Sequence, residues 1–283
     1  MARTEQNGFH RRNSKRSAGD RSARPEREHR SPETAIRTLN MQGAQLAGAD
    51  LQGEHFAGVD LCGANLKGAN LSGACLAGAI MADANLEEAT LKSADLSGTC
   101  LHRACLRDTD LTLANVQNSD LYRANLSQAI ATGANFAGAI LQETDLSELN
   151  AIGTSFSGAD LRQADLSWAR LQRADLSNVI AIAAIAYQAD LSRATVFEAE
   201  LIGIDLHGAN LQRAKLAQAH LLRASLFATN LQNADLFAAD LTGADLRRAN
   251  CSTANFERAI LTDARLLHAT TVGAIGLFTA EDI

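Results

Sequence analysis

The residues best suited to chemistry in this sequence are three soft metal ligands that lie close together, Cys100, His102 and Cys105. Thiolates and imidazoles are ligands that zinc prefers, but the spacing C-x-H-x-x-C matches no zinc module. We therefore interpret all three as surface residues and predict neither a metal site nor a cofactor. The other histidines are dispersed, and no nucleophile, base and orienting acid converge as catalysis requires. The sequence predicts a protein that is not an enzyme.

The charges divide the chain into a basic beginning and an acidic remainder. Residues 1–35 contain nine Lys/Arg and five Asp/Glu, which leaves 26 − 9 = 17 basic and 32 − 5 = 27 acidic residues, or a net charge of −10, in the rest. Residues 1–30 lack periodicity, and we expect a disordered basic tail there; an export signal is the alternative. The five cysteines follow no disulfide-scaffold spacing, and no apolar run is long enough to span a membrane. We expect a cytoplasmic protein without membrane contact.

A five-residue repeat must position all of these side chains. Every fifth residue from Met41 to Leu266 gives (266 − 41)/5 + 1 = 46 sites, and 46 − 5 = 41 of them are Leu, Met, Phe or Val. Two residues before these sites, alanine fills 34 of 45 positions from Ala44 to Ala264. Asp or Asn often stands between the two. The five large-residue sites that depart from the pattern are Ala131, Ala151, Ala181, Ala186 and Cys251.

A period of five fits neither an α-helix nor a strand, because the leucines would be spread around a helix and would alternate sides in a strand. It fits a solenoid in which each pentapeptide forms one side of a coil and points one large and one small side chain inward. Four pentapeptides make a coil of twenty residues, so the 46 repeats predict about 11–12 coils. We expect residues 178–187 to form either a thinly packed coil or a local distortion.

The sequence resembles the pentapeptide-repeat family. The resemblance rests on segments such as Ala69-Asn70-Leu71-Ser72-Gly73 and Ala94-Asp95-Leu96-Ser97-Gly98, and it covers about four-fifths of the chain. It implies an all-β fold, a right-handed quadrilateral parallel β-helix. We assign this fold to residues 31–266 and expect residues 267–283 to form a C-terminal cap or a dimer contact.

Residues twenty apart stack in such a coil, and two rows of acidic residues result. One row is Asp145, Asp165, Asp205 and Asp245, and the neighbouring row is Asp120, Asp160, Glu200 and Asp240. Quinolone-resistance and mycobacterial gyrase-binding members of the family look like B-form DNA and occupy the DNA saddle of type II topoisomerases, so the resemblance implies a DNA mimic that gives resistance to topoisomerase poisons. The alternative is that Asp is simply the residue that suits the corners. A basic row of Arg173, Arg193 and Arg213, and isoleucines within the acidic rows, argue against mimicry.

The second candidate surface is apolar and lies in the C-terminal half. The position after the large residue becomes apolar there, and we predict an exposed patch that mediates dimerisation or partner binding. The patch consists of Ile180, Ile182, Tyr187, Phe197, Ile202, Leu222, Phe227 and Phe237.

These observations predict a non-enzymatic scaffold, a homodimer, whose partner is DNA gyrase or topoisomerase IV. The alternative is a structural adaptor or exported effector with a protein-binding surface unrelated to DNA. Under either interpretation we expect no direct binding of nucleic acid by the rod.

Overall fold

A computed structural model describes residues 40–277 of the 283-residue chain. The predicted tail (residues 1–30), residues 31–39 of the predicted solenoid and residues 278–283 of the predicted C-terminal segment lie outside the described residues. Between residues 40 and 277 there is no helix and no strand of consecutive residues. Instead the backbone repeats one five-residue unit, a two-residue turn followed by a single bridged residue.

The bridged residues stack in register along the whole described chain. Forty-four parallel bridges join residues twenty apart, from Asn40–Asp60 to Asn255–Ile275. The coil therefore contains twenty residues, and the bridged positions from 40 to 275 make twelve coils in four columns. We call these columns face 1 (from Asn40), face 2 (from Gln45), face 3 (from Asp50) and face 4 (from His55). Edge 1/2, edge 2/3, edge 3/4 and edge 4/1 are the turns that lead from one face to the next.

The register continues at two places that the sequence left open. Thr270 still pairs with Asn250, so the coils extend past Leu266 into the segment expected to form a cap or a dimer contact. Residues 178–187 also keep the register, because Ile180 pairs with both Asp160 and Glu200. The segment is thinly packed and regular.

Each edge is a tight turn that requires an unusual backbone conformation. The N–H of Ala44 donates to the carbonyl of Met41 at 3.0 Å, and Gly43 within that turn has φ of +64°. Positive φ at the second central residue alone is the mark of a type II turn, which favours glycine. Every fifth residue from 43 to 273 has positive φ, and thirty of them are not glycine.

The backbone N–H groups of a unit are all used, and one needs a side chain. In the unit that begins at Leu71, the first and third N–H groups donate to the following coil, the fourth closes the turn, and the fifth donates to the preceding coil. The second, that of Ser72, donates to Oδ1 of Asn70 at 3.2 Å. Asp and Asn before the leucine thus complete the hydrogen bonding of the repeat.

The interior is a column of leucines and alanines, as the repeat requires. Phe136 and Phe156 fit within it, and their rings stack at a centroid distance of 5.2 Å in adjacent coils. Where Ala181 and Ala186 replace leucine, a wholly apolar cavity of about 20 Å³ remains between Leu161 and Leu216. The thin coil is therefore underfilled inside.

Candidate interaction surfaces on the rod

The acidic rows lie on two neighbouring faces, as the stacking predicts. Asp120, Asp160, Glu200 and Asp240 are on face 1, and Asp145, Asp165, Asp205 and Asp245 are on face 2. Only Asp145 and Asp165 are direct neighbours in adjacent coils; the other members of each row are separated by intervening residues such as Ile185 and His220. The carboxylates form interrupted rows and not a continuous one.

The seven aspartates of these rows all have a structural task. Each accepts, through Oδ1, the backbone N–H of the residue two positions later, at 2.8–3.2 Å. Glu200 is one methylene longer, and no such bond is formed by it in the described chain. The aspartates are therefore explained by the turn, whatever else they do.

Three of the eight carboxylates are also paired with a cationic or ionisable side chain. Arg162 makes three hydrogen-bond contacts with Asp160, and Arg247 makes three with Asp245. His102 Nε2 lies 2.5 Å from the carboxylate of Asp120. The hydrogen bond from Arg247 holds the pKa of Asp245 below its ordinary value. Within residues 40–277, the other five carboxylates form no salt bridge, and they are Asp145, Asp165, Glu200, Asp205 and Asp240.

The apolar patch is divided among three edges of the rod. Ile182, Ile202 and Leu222 stack on edge 1/2, with Ile180 on face 1 beside them; Tyr187 and Phe227 lie on edge 2/3; Phe197 and Phe237 lie on edge 4/1. The stacked side chains shield one another, and most are half-buried. The patch is three ladders, of which the first two flank face 2.

A ladder of aromatic rings runs along edge 2/3. Trp168 contacts Tyr187 edge-on at 5.6 Å, Tyr187 contacts His207 at 5.4 Å, and His207 contacts Phe227 at 5.0 Å. Trp168 is 55% exposed, and Ile185 on the adjoining face 2 is 43% exposed. We call Ile182, Ile185, Tyr187, Ile202, His207, Leu222 and Phe227 the platform.

The sequence analysis missed Trp168 and Ile185. It compared residues twenty apart, whereas Trp168 and Tyr187 are nineteen apart and meet across the two positions of a turn. Ile185 occupies the usual Asp/Asn position, at which the predicted patch included Ile180 alone. Reading the positions before and two after each leucine would have found both residues.

The basic row lies on edge 3/4. Arg173, Arg193 and Arg213 are exposed, occupy the same position in three successive coils, and form no salt bridge with any residue between 40 and 277. Elsewhere the rod pairs opposite charges one coil apart, as in Arg103 with Asp83 at 2.6 Å and Arg123 with Glu143 at 2.7 Å.

The cysteine and histidine cluster is not gathered around a point. Cys100 lies on face 1 and Cys105 on face 2, and His102 turns towards Asp120. No group of three metal-ligating side chains occurs in the described part of the chain. Among the same residues there is no helix long and apolar enough to cross a bilayer.

The repeat on which these surfaces are built is recognised by a family model. The model described as pentapeptide repeats matches eight copies, over residues 40–78, 76–108, 109–147, 139–178, 204–243 and 239–270. The chain belongs to the pentapeptide-repeat family. Members of this family fold as a right-handed β-helix, which gives the hand of the coil described above. They are generally interaction scaffolds and not enzymes.

Solved structures of the family include proteins of different origin. HetL, a pentapeptide-repeat protein involved in heterocyst differentiation regulation in the cyanobacterium Nostoc sp. strain PCC 7120, is 31% identical over 86% of this chain and 92% of its own, with a TM-score of 0.33. Rfr23 from the cyanobacterium Cyanothece 51142 is 30% identical over 36% of this chain and 63% of its own, with a TM-score of 0.25. QnrB1, a plasmid-mediated fluoroquinolone resistance protein, is 18% identical over 67% of this chain and 87% of its own, with a TM-score of 0.35. No curated protein sequence matches at comparable significance.

Proposed function

We propose that this pentapeptide-repeat protein is a non-enzymatic scaffold that associates through its platform, and that the first occupant of the platform is a second copy of the chain. The observation that carries the proposal is the inverted pattern of residues 180–186. Alanines occupy the inner sites at 181 and 186, while isoleucines at 180, 182 and 185 face outward. Apolar volume is thus displaced from the core to the surface at one coil.

The energetic cost of this inversion favours an outer partner. The inner cavity removes packing contacts. The outer isoleucines gain little free energy of burial, because water still reaches them. An apolar partner on the platform recovers part of that free energy. Apolar side chains stacked along two neighbouring edges and joined by Ile185 are uncommon on a monomer and are typical of interfaces.

The order of the platform residues favours a symmetric pair. Along edge 2/3 the platform reads Tyr187, His207, Phe227, and along edge 1/2 it reads Ile182, Ile202, Leu222. Two rods packed side by side and antiparallel about a two-fold axis at the middle coil bring Tyr187 of one copy to Phe227 of the other, and Ile182 to Leu222. Such an interface is self-complementary, as a two-fold dimer requires.

The test is the molar mass in solution of Ile202→Lys/Phe227→Lys, measured by light scattering over a range of concentrations. Lysine already occupies this repeat position at Lys67 and Lys92, so the coil accommodates it. The matched control, Ile152→Lys/Phe237→Lys, makes the same changes at the same repeat position on other edges. We expect a dimer for the wild type and the control and a monomer for the platform variant. A dimer that survives the platform variant, with circular dichroism unchanged, contradicts the proposal.

A second candidate, binding of a type II topoisomerase by DNA mimicry, is supported by face 2. Asp145, Asp165 and Asp205 share that face and form no salt bridge within residues 40–277, so their charges are available to a cationic DNA-binding surface. The family also contains a fluoroquinolone resistance protein. The partner in this proposal is DNA gyrase or topoisomerase IV.

Gyrase supercoiling with and without ciprofloxacin tests this candidate with closely matched variants. Asp145→Asn/Asp165→Asn/Asp205→Asn removes three charges from face 2, and asparagine preserves the turn, as it does at Asn125. The control Asp95→Asn/Asp175→Asn/Asp235→Asn makes the same change on face 4. Inhibition or drug protection that is lost only in the face 2 variant supports mimicry. If the protein has no effect on supercoiling at tens of micromolar, DNA mimicry is contradicted.

A further inference from the structure

Face 3 differs from the rest of the rod in the sign of its charge. Over residues 167–253, this face and its two edges hold six arginines and one carboxylate, that of Asp190. Asp190 is engaged by Gln172 and Asn210, at 2.8 and 3.1 Å. The arginines are Arg170, Arg173, Arg193, Arg213, Arg247 and Arg248. Of these, Arg247 is the one paired with a carboxylate within residues 40–277, that of Asp245 on face 2. A cationic strip therefore lies on a rod that is acidic elsewhere.

The arginines of edge 3/4 are stacked like on like. Arg173, Arg193 and Arg213 stand about 4.8 Å apart along the rod, which is the spacing of adjacent coils. Like charges placed directly opposite each other in a sheet are destabilising. Arg103 and Arg123 are also stacked in adjacent coils, but each is paired with a carboxylate, Asp83 at 2.6 Å and Glu143 at 2.7 Å. A polyanion bound along the ladder would remove the repulsion.

Neutral amides fill the middle of face 3. Asn210, Asn230 and Asn250 form a ladder in which each Nδ2 donates to the preceding Oδ1, at 3.1 and 3.3 Å. Gln212 and Gln232 are joined on edge 3/4 by a hydrogen bond in which Nε2 of Gln212 donates to Oε1 of Gln232 at 2.7 Å. These side chains supply donors and acceptors beside the arginines without adding negative charge.

An exposed aromatic residue completes the face. Trp168 precedes Arg170 by two residues, at the opposite edge from the arginine ladder, and is 55% exposed. Its contact with Tyr187 is edge-on, with an interplanar angle of 81°, so the two rings do not cover each other face to face. An exposed indole can stack with a planar ring.

We propose that face 3 binds single-stranded nucleic acid. The phosphates lie along Arg173, Arg193 and Arg213, the amides contact the sugars and base edges, and a base stacks on Trp168. A cationic track combined with an aromatic stacking surface is how proteins bind single strands without sequence preference. Binding of an acidic protein would need only the arginine charges and would leave Trp168 and the amides without a role. From the sequence we expected no nucleic-acid binding by the rod. That expectation took account of the arginine row but not of the amides and Trp168 on the same face.

The test is the fluorescence anisotropy of a labelled twelve-nucleotide oligo(dT) and oligo(U) with the full-length protein, from about 50 mM salt upward. The first variant is Arg173→Gln/Arg193→Gln/Arg213→Gln. Glutamine already occupies this turn position with positive φ at Gln163, Gln188 and Gln218, so the fold tolerates the change. The control, Arg103→Gln/Arg123→Gln/Arg223→Gln, removes the same number of positive charges from edge 1/2.

The ladder variant should bind at least about tenfold more weakly, and its slope of log affinity against log salt should fall by about 2, at roughly 0.7 per lost phosphate contact. The control should keep the wild-type slope. Trp168→Gln should weaken binding about fivefold or more and leave the slope unchanged, because stacking carries no counterion release. The platform is intact in all these variants, so their dimerisation should not change.

Three results overturn the proposal. One is no binding at the lowest salt. Another is equal binding by the ladder variant and the wild type, which would assign the affinity to the basic residues before residue 40. The third is equally strong competition by poly-glutamate of the same length, with no effect of Trp168→Gln, which would make the face a site for acidic proteins.

Discussion

The backbone N–H of Ser167 donates a hydrogen bond of 2.8 Å to Oδ1 of Asp165. This bond satisfies the one N–H group in the pentapeptide that the coils themselves do not use. It also holds the carboxylate against the turn, so Asp165 has a structural role whether or not it belongs to a binding surface. Turn support and charge are separable, because asparagine keeps the acceptor and removes the charge.

Asp165→Ala should lower the free energy of unfolding by about 1 kcal/mol, because it leaves the N–H of Ser167 without its protein acceptor. Asp165→Asn should stay within about 0.5 kcal/mol of the wild type. Urea denaturation followed by circular dichroism measures both. Equal loss in the two variants would mean that the charge, and not the turn acceptor, stabilises this coil.

Filling the cavity beside Ala186 should stabilise the rod. Ala186→Leu restores the usual large residue at an inner site, and cavity-filling changes commonly add about 0.5–2 kcal/mol. Ala184→Leu places the same side chain at the neighbouring small site, where overpacking should cost about 1–3 kcal/mol. Thermal unfolding of the two variants should therefore shift in opposite directions. A loss in both would show that the coil cannot adjust to the larger residue.

The five-residue period of the sequence accounts for most of the fold. The inward direction of Leu71 and Ala74, the twenty-residue stacking and the role of Asn70 all follow from spacing and residue type. Two features did not follow. The turn at Gly43 and its counterparts is reproduced by thirty non-glycine residues, so composition could not indicate that every one has positive φ. The pairing of Arg162 with Asp160 on the same coil depends on side-chain rotamers, and a comparison of residues twenty apart does not predict it.

The positive φ of the turns predicts that substitutions there change the free energy of unfolding through backbone strain. A Cβ added at Gly63 meets no atom within 4 Å, so Gly63→Ala should cost about 1 kcal/mol through backbone strain alone. Ser93 adopts the same conformation, with φ of +53°, and Ser93→Gly should gain a few tenths of a kcal/mol or more, because relief of strain exceeds the added chain entropy. Urea denaturation measures both changes. A stabilising Gly63→Ala would contradict the turn assignment.

Cys251 should be the least reactive of the five cysteines. It replaces leucine at an inner site, and burial raises the pKa of its thiol from 9.0 to about 12. The unfolded chain ionises first as pH rises, so this thiol contributes to a loss of stability from pH 9 towards pH 12, and has no such effect below pH 9. Iodoacetamide at pH 8, read by mass spectrometry of peptides, should label the half-buried Cys75, Cys100 and Cys105 well before Cys251. In urea all of them should react at similar rates, which is the control for accessibility. Rapid labelling of Cys251 in the native protein would mean that the coils near the C-terminal end open more readily than their continuous bridges indicate.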